Sequence, residues 1–443
     1  MSRLFGTDGV RGVVGETLTS DLARDLGRAA ATVLIRHGQT RPQFVVGRDT
    51  RASGGMLEDA MGEGIRSAGG EILRVGVVPT PAVAFLAAEL DAAGVVISAS
   101  HNPAEYNGIK LFASSGYKLP DSLEDEIQAE MLHTPGEAEE GSETLLPEAS
   151  ERYLHHLTDR GDRLDGMKIV VDCANGAASA LAPEVYRRLG AEVLVINDDP
   201  DGLNINQGCG ALHPEVVAAE VVRAGADAGI AHDGDADRAL FADAAGNVID
   251  GDQVLVACAM DLKERELLDN DTVVTTVMAN IGLRRALADA GIRVVTSRVG
   301  DRYVLEDMLR TGAVLGGEQS GHVIFADCAT TGDGLLTAVR FLSTSVRKGV
   351  SVSDLAANME RFPQVMVNVR VSDGAALDGA GSVWEAAGRA ERELGEQGRI
   401  LIRASGTEPL VRVMVEAPTE ASARAHAERI AERVRHELGV PEG

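Results

Sequence analysis

The sequence predicts an α/β protein of three related domains in tandem plus a smaller C-terminal α+β domain, arranged around a central cleft. Two observations carry the prediction. A strand–helix–strand–helix–strand pattern recurs three times at roughly domain-sized intervals. The chain then changes character after "ERFPQ" (360–364), where half-exposed alternating strands take over. Each of the three α/β domains reads as a mixed sheet flanked by helices. The expected boundaries are 1–152, 153–254, 255–364 and 365–443.

The elements justify this in order. "FVVGRDTR" (44–51), "KIVVDCANG" (168–176) and "DTVVTTVMAN" (271–280) are β-branched runs ending in small or polar residues, each followed by a helix-like stretch. Gly-led second strands follow at 69–78, 190–197 and 291–300. Third strands follow at 94–103, 227–235 and 313–322, and each ends in a different polar cluster. Ligands of open α/β sheets sit beyond the carboxyl ends of strands, so three such clusters suggest one cleft with divided labour. The polar segment 133–150 reads as a linker. In the last domain, strands are expected at 365–371, 398–406 and 409–417, with helices near 376–394 and 420–438.

Composition narrows the function. With 443 residues and 44% hydrophobic residues, the chain can fold into several cores. A formal charge of −26 disfavours nucleic acid and anionic membranes as partners. No signal peptide or membrane-length apolar run is visible. The four cysteines, Cys173, Cys209, Cys258 and Cys328, form no C-x-x-C, which fits a reducing cytoplasm.

The clusters carry the chemistry. "VVISASHNPAEYNGIK" (95–110) presents Ser100 beside His101, outside any G-x-S-x-G motif. "HDGDADR" (232–238) spaces Asp233, Asp235 and Asp237 two apart, with Gly234 and Ala236 allowing the bend that brings the carboxylates together. Three hard oxygen ligands suit Mg²⁺ or Ca²⁺. An EF-hand fails, because its sixth position is Arg238 and its twelfth Ala244. A solvated acidic turn is the plain alternative. "RASGTEPLVR" (403–412) offers Arg403, Ser405, Gly406, Thr407 and Arg412, a set that fits a phosphate or an ordinary hairpin turn. "GGEQSGH" (316–322) offers Glu318 and Ser320 for sugar hydroxyls, and His322 either for proton transfer or as a hydrogen-bonded loop residue. "FGTDGVRG" (5–12) places Arg11 between glycines as a candidate active-site cation. "GRDTRASG" (47–54) is Gly-rich with Arg48 and Arg51, but Ser53 reads as the N-cap of a helix over 54–67, which gives the stretch a plain structural use.

"ISASHNP", "HDGDADR", "GEQSGH" and "RASGTEP", in this order at these intervals, resemble the α-D-phosphohexomutase superfamily over essentially the whole chain. "RLFGTDGVRG", "DGLNINQGCGALHPE" (201–215) and "VGDRYVLE" (299–306) resemble its hexosamine-phosphate branch, with the glucose- and mannose-phosphate branch as the alternative. The resemblance implies an isomerase that carries phosphate on Ser100 as phosphoserine. Asp233, Asp235 and Asp237 would hold one Mg²⁺ per chain, completed by the Ser100 phosphate. Arg238 and Arg11 would offset charge, and His101 would brace Ser100. Glu318 and Ser320 would hold the sugar, and Arg403, Ser405, Gly406, Thr407 and Arg412 its existing phosphate. His322 and Lys110 are alternative proton carriers. A sugar 1,6-bisphosphate would prime the enzyme, and the product would feed UDP-N-acetylglucosamine and cell-wall synthesis. Members of the superfamily often pair as homodimers, though nothing in the sequence itself marks a dimer surface. A phosphatase using Ser100 and a non-catalytic sugar-phosphate sensor are the rivals from other classes.

Overall fold

The computed structural model describes residues 3–6, 8–133, 138–405 and 409–440. The chain forms two compact units. One comprises residues 1–278 and 291–358, the other 279–290 and 359–443.

The larger unit holds three sheets. The first contains β1 (Val10–Val13), β2 (Gln43–Arg48), β3 (Glu71–Val77), β4 (Ala93–Ile97), β5 (Tyr106–Phe112) and β6 (Glu143–Leu145), ordered β1-β5-β4-β2-β3-β6. The second contains β7 (Lys168–Asp172), β8 (Glu192–Ile196), β9 (Ala228–His232), β10 (Ala239–Asp243) and β11 (Val248–Ile249), ordered β11-β10-β9-β7-β8. The third contains β12 (Thr272–Thr276), β13 (Arg293–Ser297), β14 (Leu315–Gly317) and β15 (Val323–Phe325), ordered β13-β12-β14-β15.

The three sheets share one plan. A parallel triplet, β3-β2-β4, β8-β7-β9 or β13-β12-β14, is followed by a strand that turns back antiparallel to the third member. The central strands are buried on both faces, which explains runs such as Val95-Val96-Ile97 and Ile169-Val170-Val171. Three polar loops therefore occupy equivalent places, between β4 and β5, β9 and β10, and β14 and β15. These are the loops of Ser100, the aspartates and Glu318.

Helices cover the sheets. Residues Ser20–Arg36 and Gly54–Ser67 cross at backbone contact, because a Cβ on Gly64 would lie 1.9 Å from the Arg24 carbonyl oxygen. Ser53 precedes the second of these helices but caps nothing: its backbone is already helical, and its Oγ accepts from Asn107 Nδ2 at 2.9 Å. The expected linker also departs from the sequence reading. Residues Glu143–Leu145 pair in parallel with β3 as the edge strand of the first sheet.

The smaller unit holds β16 (Gln364–Arg370), β17 (Arg399–Ala404) and β18 (Leu410–Glu416) as an antiparallel sheet ordered β16-β18-β17. Helices Gly381–Leu394 and Glu420–Leu438 complete its core of Val383, Val411, Val413, Ile430 and Val434. The helix Ile281–Asp289 belongs to this unit. Asn280 ties it down, accepting from Phe362 N at 3.1 Å and donating to Phe362 O at 2.9 Å. Among the described residues, no helix is long and apolar enough to cross a membrane.

Candidate active site

Ser100 follows the apolar end of β4 and is 1% exposed. Its φ of +51° is a left-handed conformation uncommon for serine and costs of order 1 kcal/mol or more. The surroundings hold it there. Ser100 N donates to Ser98 Oγ at 2.9 Å, and Ser98 Oγ donates to Asp49 Oδ2 at 2.6 Å. Asp49 also accepts from Arg51 Nε at 2.9 Å. The buried Arg51 guanidinium then donates to the carbonyls of Ser100 (3.0 Å), Asn102 (2.7 Å), Tyr106 (3.0 Å) and Pro103. Burial raises the pKa of Asp49, and Arg51 opposes that rise. Asp49 is a finding of the structure; the sequence offered Arg51 as a cation in a Gly-rich stretch, and the structure shows it as a brace of the Ser100 loop.

The Ser100 hydroxyl faces the second sheet and donates to Asp233 Oδ2 at 2.8 Å. His101 Nδ1 lies 3.3 Å from Ser100 Oγ. Burial, with Arg238 and Arg11 nearby, lowers the His101 pKa to about 4, so its ring is neutral at pH 7.

Asp233, Asp235 and Asp237 line the turn between β9 and β10. All three are buried, and one oxygen from each lies within 4.8 Å of the others. Ala236 at φ +55° supplies the bend. Asp235 Oδ2 accepts from Lys110 Nζ at 2.9 Å and Thr80 Oγ1 at 2.7 Å. Asp235 Oδ1 and Asp237 Oδ1 are buried without a hydrogen-bond donor among the described residues. Orphaned carboxylate oxygens beside a third acid are what a hard divalent cation satisfies, so the residues present fit one. Burial and the other two carboxylates hold the Asp233 pKa well above the usual range, which expresses the same unmet need for positive charge.

Cations surround the acids. Arg238 Nε lies 3.7 Å from Asp237 Oδ1 and 4.0 Å from Asp233 Oδ2. Lys110, on β5, reaches Asp235 at 2.9 Å, Asp8 at 3.1 Å and Asp237 at 3.9 Å. Burial disfavours its ammonium, but the acids outweigh burial and raise its pKa. Arg11 pairs with Asp8, as does Lys118 at 2.6 Å; Lys118 also pairs with Asp301 at the start of the helix Asp301–Thr311. Asp8, Thr80, Lys118 and Asp301 were not singled out from the sequence. Only the Gly-flanked setting of Asp8 in "TDG" offered a signal.

The third loop brings His322 to the same acids. Its Nδ1 lies 3.5 Å from Asp237 Oδ2, and its Nε2 accepts from Gly332 N at 3.2 Å. Burial lowers the pKa of the ring, and Asp237 more than reverses this. A proton on Nδ1 satisfies both contacts. The two candidate proton carriers are thus both engaged, Lys110 as an ammonium among acids and His322 between Asp237 and a backbone N–H. Glu318 Oε1 accepts from Gly300 N at 3.0 Å, while Ser320 Oγ is buried with no hydrogen-bond partner among the described residues.

In the smaller unit, Arg403 on β17 sits directly opposite Arg412 on β18. Arg412 Nη2 lies 3.5 Å from Ser405 Oγ. Burial and the neighbouring Arg412 lower the pKa of Arg403. Two adjacent guanidiniums and a hydroxyl form a set complementary to a phosphate dianion. Gly406 and Thr407 lie outside the described residues.

Comparison with known proteins identifies the fold and the family. Four family models match in order: phosphoglucomutase/phosphomannomutase α/β/α domain I over residues 2–136, domain II over 151–246, domain III over 250–362 and the C-terminal domain over 366–433. The solved structure of a phosphoglucomutase/phosphomannomutase family protein from Burkholderia thailandensis superposes with a TM-score of 0.84 at 26% identity, covering 100% of both chains. The fold and its four domains in order are those of a phosphohexomutase. A phosphoglucosamine mutase from Symbiobacterium thermophilum is 53% identical across 99% of this chain and 100% of its own. Another, from Saccharopolyspora erythraea, is 54% identical across 98% and 99%. The chain belongs to the phosphoglucosamine mutase family. N-acetylphosphoglucosamine mutase of Aspergillus fumigatus, solved with GlcNAc-6P and magnesium, shares the fold at 18% identity and a TM-score of 0.68.

Proposed function

We propose that the protein is an isomerase that interconverts glucosamine 6-phosphate and glucosamine 1-phosphate, with Ser100 as the phosphoryl carrier. The observation that carries this is the 2.8 Å contact between Ser100 Oγ and Asp233, inside a buried acid cluster with two unsatisfied oxygens. A hydroxyl poised there is suited to hold a phosphoryl group against a divalent cation.

Asp233, Asp235 and Asp237 would hold the cation, Mg²⁺ by their hard oxygen chemistry, and it would supply charge neutralisation to the phosphoryl oxygens. The chain's own residues do the rest. With Ser100 phosphorylated, the P–Oγ bond breaks as a P–O bond forms to sugar O1, giving the 1,6-bisphosphate. The O1 proton leaves to a protein group or water. The sugar then presents its 6-phosphate, the P–O6 bond breaks, Ser100 is rephosphorylated, and O6 takes up a proton. Bond making and breaking balance over the cycle. Arg238 and Arg11 place positive charge beside the transferring group, which favours its spread negative charge. His101, neutral and beside Oγ, orients Ser100. Glu318 and the unpartnered Ser320 would receive sugar hydroxyls, and Arg403, Ser405 and Arg412, with Gly406 and Thr407, the phosphate that is not reacting. A sugar 1,6-bisphosphate would prime unphosphorylated enzyme.

The division at 1–152, 153–254, 255–364 and 365–443 gives each loop its own domain, and four separate sheets support it. Four unpaired cysteines support a reducing, cytoplasmic setting. The product would enter UDP-N-acetylglucosamine and cell-wall synthesis.

The test compares kcat/KM for glucosamine 6-phosphate, glucose 6-phosphate and mannose 6-phosphate in one Mg²⁺-loaded, bisphosphate-primed preparation. A large preference for the amino sugar is expected. Equal or better rates on glucose or mannose phosphate would overturn the substrate assignment.

A further inference from the structure

We infer that Asn206 is a positioning residue for phosphoryl transfer, and that the segment 201–215 acts by bracing the Ser100 loop from the neighbouring sheet rather than by touching the sugar. The inference rests on the reading of Ser100 as the phosphoryl carrier.

Two donors hold the Ser100 loop by its carbonyls, and they come from different places. Arg51 is anchored to Asp49, beyond the end of β2 in the same sheet as Ser100. Asn206 comes from the second layer, which also carries the acid cluster. Its Nδ2 donates to Ser100 O at 3.0 Å and Asn102 O at 3.2 Å. Asn206 therefore ties the backbone of the strained Ser100 to the sheet that presents Asp233, and so sets how far Oγ stands from the carboxylates.

Asn206 is itself fixed to that layer. Its φ is +60°, a left-handed conformation that Asn, Asp and Gly tolerate best. Its N–H donates to Ala174 O at 2.9 Å, and further along the segment Gly210 N donates to Asp172 Oδ2 at 2.9 Å. The acid loop is moulded around the contact. A Cβ on Gly234, between Asp233 and Asp235, would lie 2.6 Å from Ser100 O and 2.8 Å from Asn206 Nδ2. Three segments meet at that glycine: the nucleophile loop, the acid loop and 201–215. The amide of Asn206 is 7% exposed as part of its residue and spends its donors on carbonyls.

The test uses the full chain, loaded with Mg²⁺ and primed with glucose 1,6-bisphosphate. Asn206→Gly keeps the left-handed backbone and removes the amide. Asn206→Asp keeps the shape but turns an acceptor onto two carbonyls, and serves if the glycine variant folds poorly. For each, kcat and KM for glucosamine 6-phosphate are measured, with the rate of Ser100 phosphorylation by mass spectrometry and the melting temperature. A displacement of about 1 Å at a reacting atom costs about 100-fold. The expected result is a kcat and a Ser100 phosphorylation rate about 100-fold lower, with KM changed less than about twofold, in protein that still melts cooperatively. Wild-type kcat in either variant, or a raised KM at unchanged kcat, would overturn the inference. Ser100→Ala, run alongside, separates the two readings: if it keeps full activity, the phosphoserine mechanism itself fails.

Discussion

Lys110→Met removes a buried cation without removing much volume, and its consequence follows from the partners left behind. Lys110 Nζ is shared by Asp235 at 2.9 Å, Asp8 at 3.1 Å and Asp237 at 3.9 Å. Asp8 keeps Arg11 and Lys118. Among the described residues, Asp235 keeps only the Thr80 side-chain hydroxyl, at 2.7 Å, on the oxygen that Lys110 served. The loss therefore falls on Asp235, which is 1% exposed. Breaking one partner of a buried ion pair costs about 3–5 kcal/mol. A protein has about 5–15 kcal/mol to lose, so the change is large. With a urea slope near 3 kcal/mol/M, the unfolding midpoint should fall by about 1–1.7 M. The assay is urea unfolding of both proteins in metal-free buffer, followed by circular dichroism. A variant within about 0.5 kcal/mol of wild type, the range of an ordinary surface substitution, would refute the reasoning. Lys110 would then be a replaceable group rather than a charge anchor.

Three further outcomes are expected. Mg²⁺ added to chelator-treated protein should raise its melting temperature, because the ion fills the unmet demand of Asp235 and Asp237; no rise in a thermal-shift titration would contradict the cation site. Gly332→Ala should cost about 1–3 kcal/mol in chemical unfolding, since its Cβ would lie 2.4 Å from the His322 ring and force it away from Asp237; unchanged stability would contradict that packing. Burial, helped by Arg160, lowers the His156 pKa to about 4 where its ring packs 4.2 Å from Phe85. The unfolded chain takes up that proton near pH 6.5 and the native state does not. Stability from this group is complete above pH 6.5 and falls as pH drops toward 4, by about 2 kcal/mol once solvent access to the ring is allowed for. His156→Gln should flatten the pH profile of unfolding in that window, and an unchanged slope would count against it.

Much of this was legible in the chain. The parallel strands were, because buried β-branched runs such as "KIVVD" have few other uses, and so were the terminal sheet and its two helices. The return strands β5, β10 and β15 were not. "YNGIKLF", "ALFAD" and "VIF" are short and follow loops that read as functional, so nothing marked them as strands. Glu143–Leu145 was taken for linker because an exposed three-residue edge strand carries no apolar pattern. Of the site, the aspartates and Ser100 stood out by spacing and order. The braces did not. Arg51 and Asn206 act through backbone carbonyls, and the pairs Lys110–Asp8 and Lys118–Asp301 join residues more than 100 positions apart. Such contacts exist only after folding. Ser53 failed as a cap because Asn107, remote in sequence, claims its hydroxyl.

The most direct test of the account asks where the phosphoryl group resides. Unphosphorylated protein is incubated with Mg²⁺ and isotopically labelled glucose 1,6-bisphosphate, digested, and its peptides sequenced by mass spectrometry. Label is expected on Ser100 alone, with its loss to glucosamine 1- or 6-phosphate on chase and no labelled peptide from Ser100→Ala. Label on another residue, or turnover by Ser100→Ala at the wild-type rate, would contradict it.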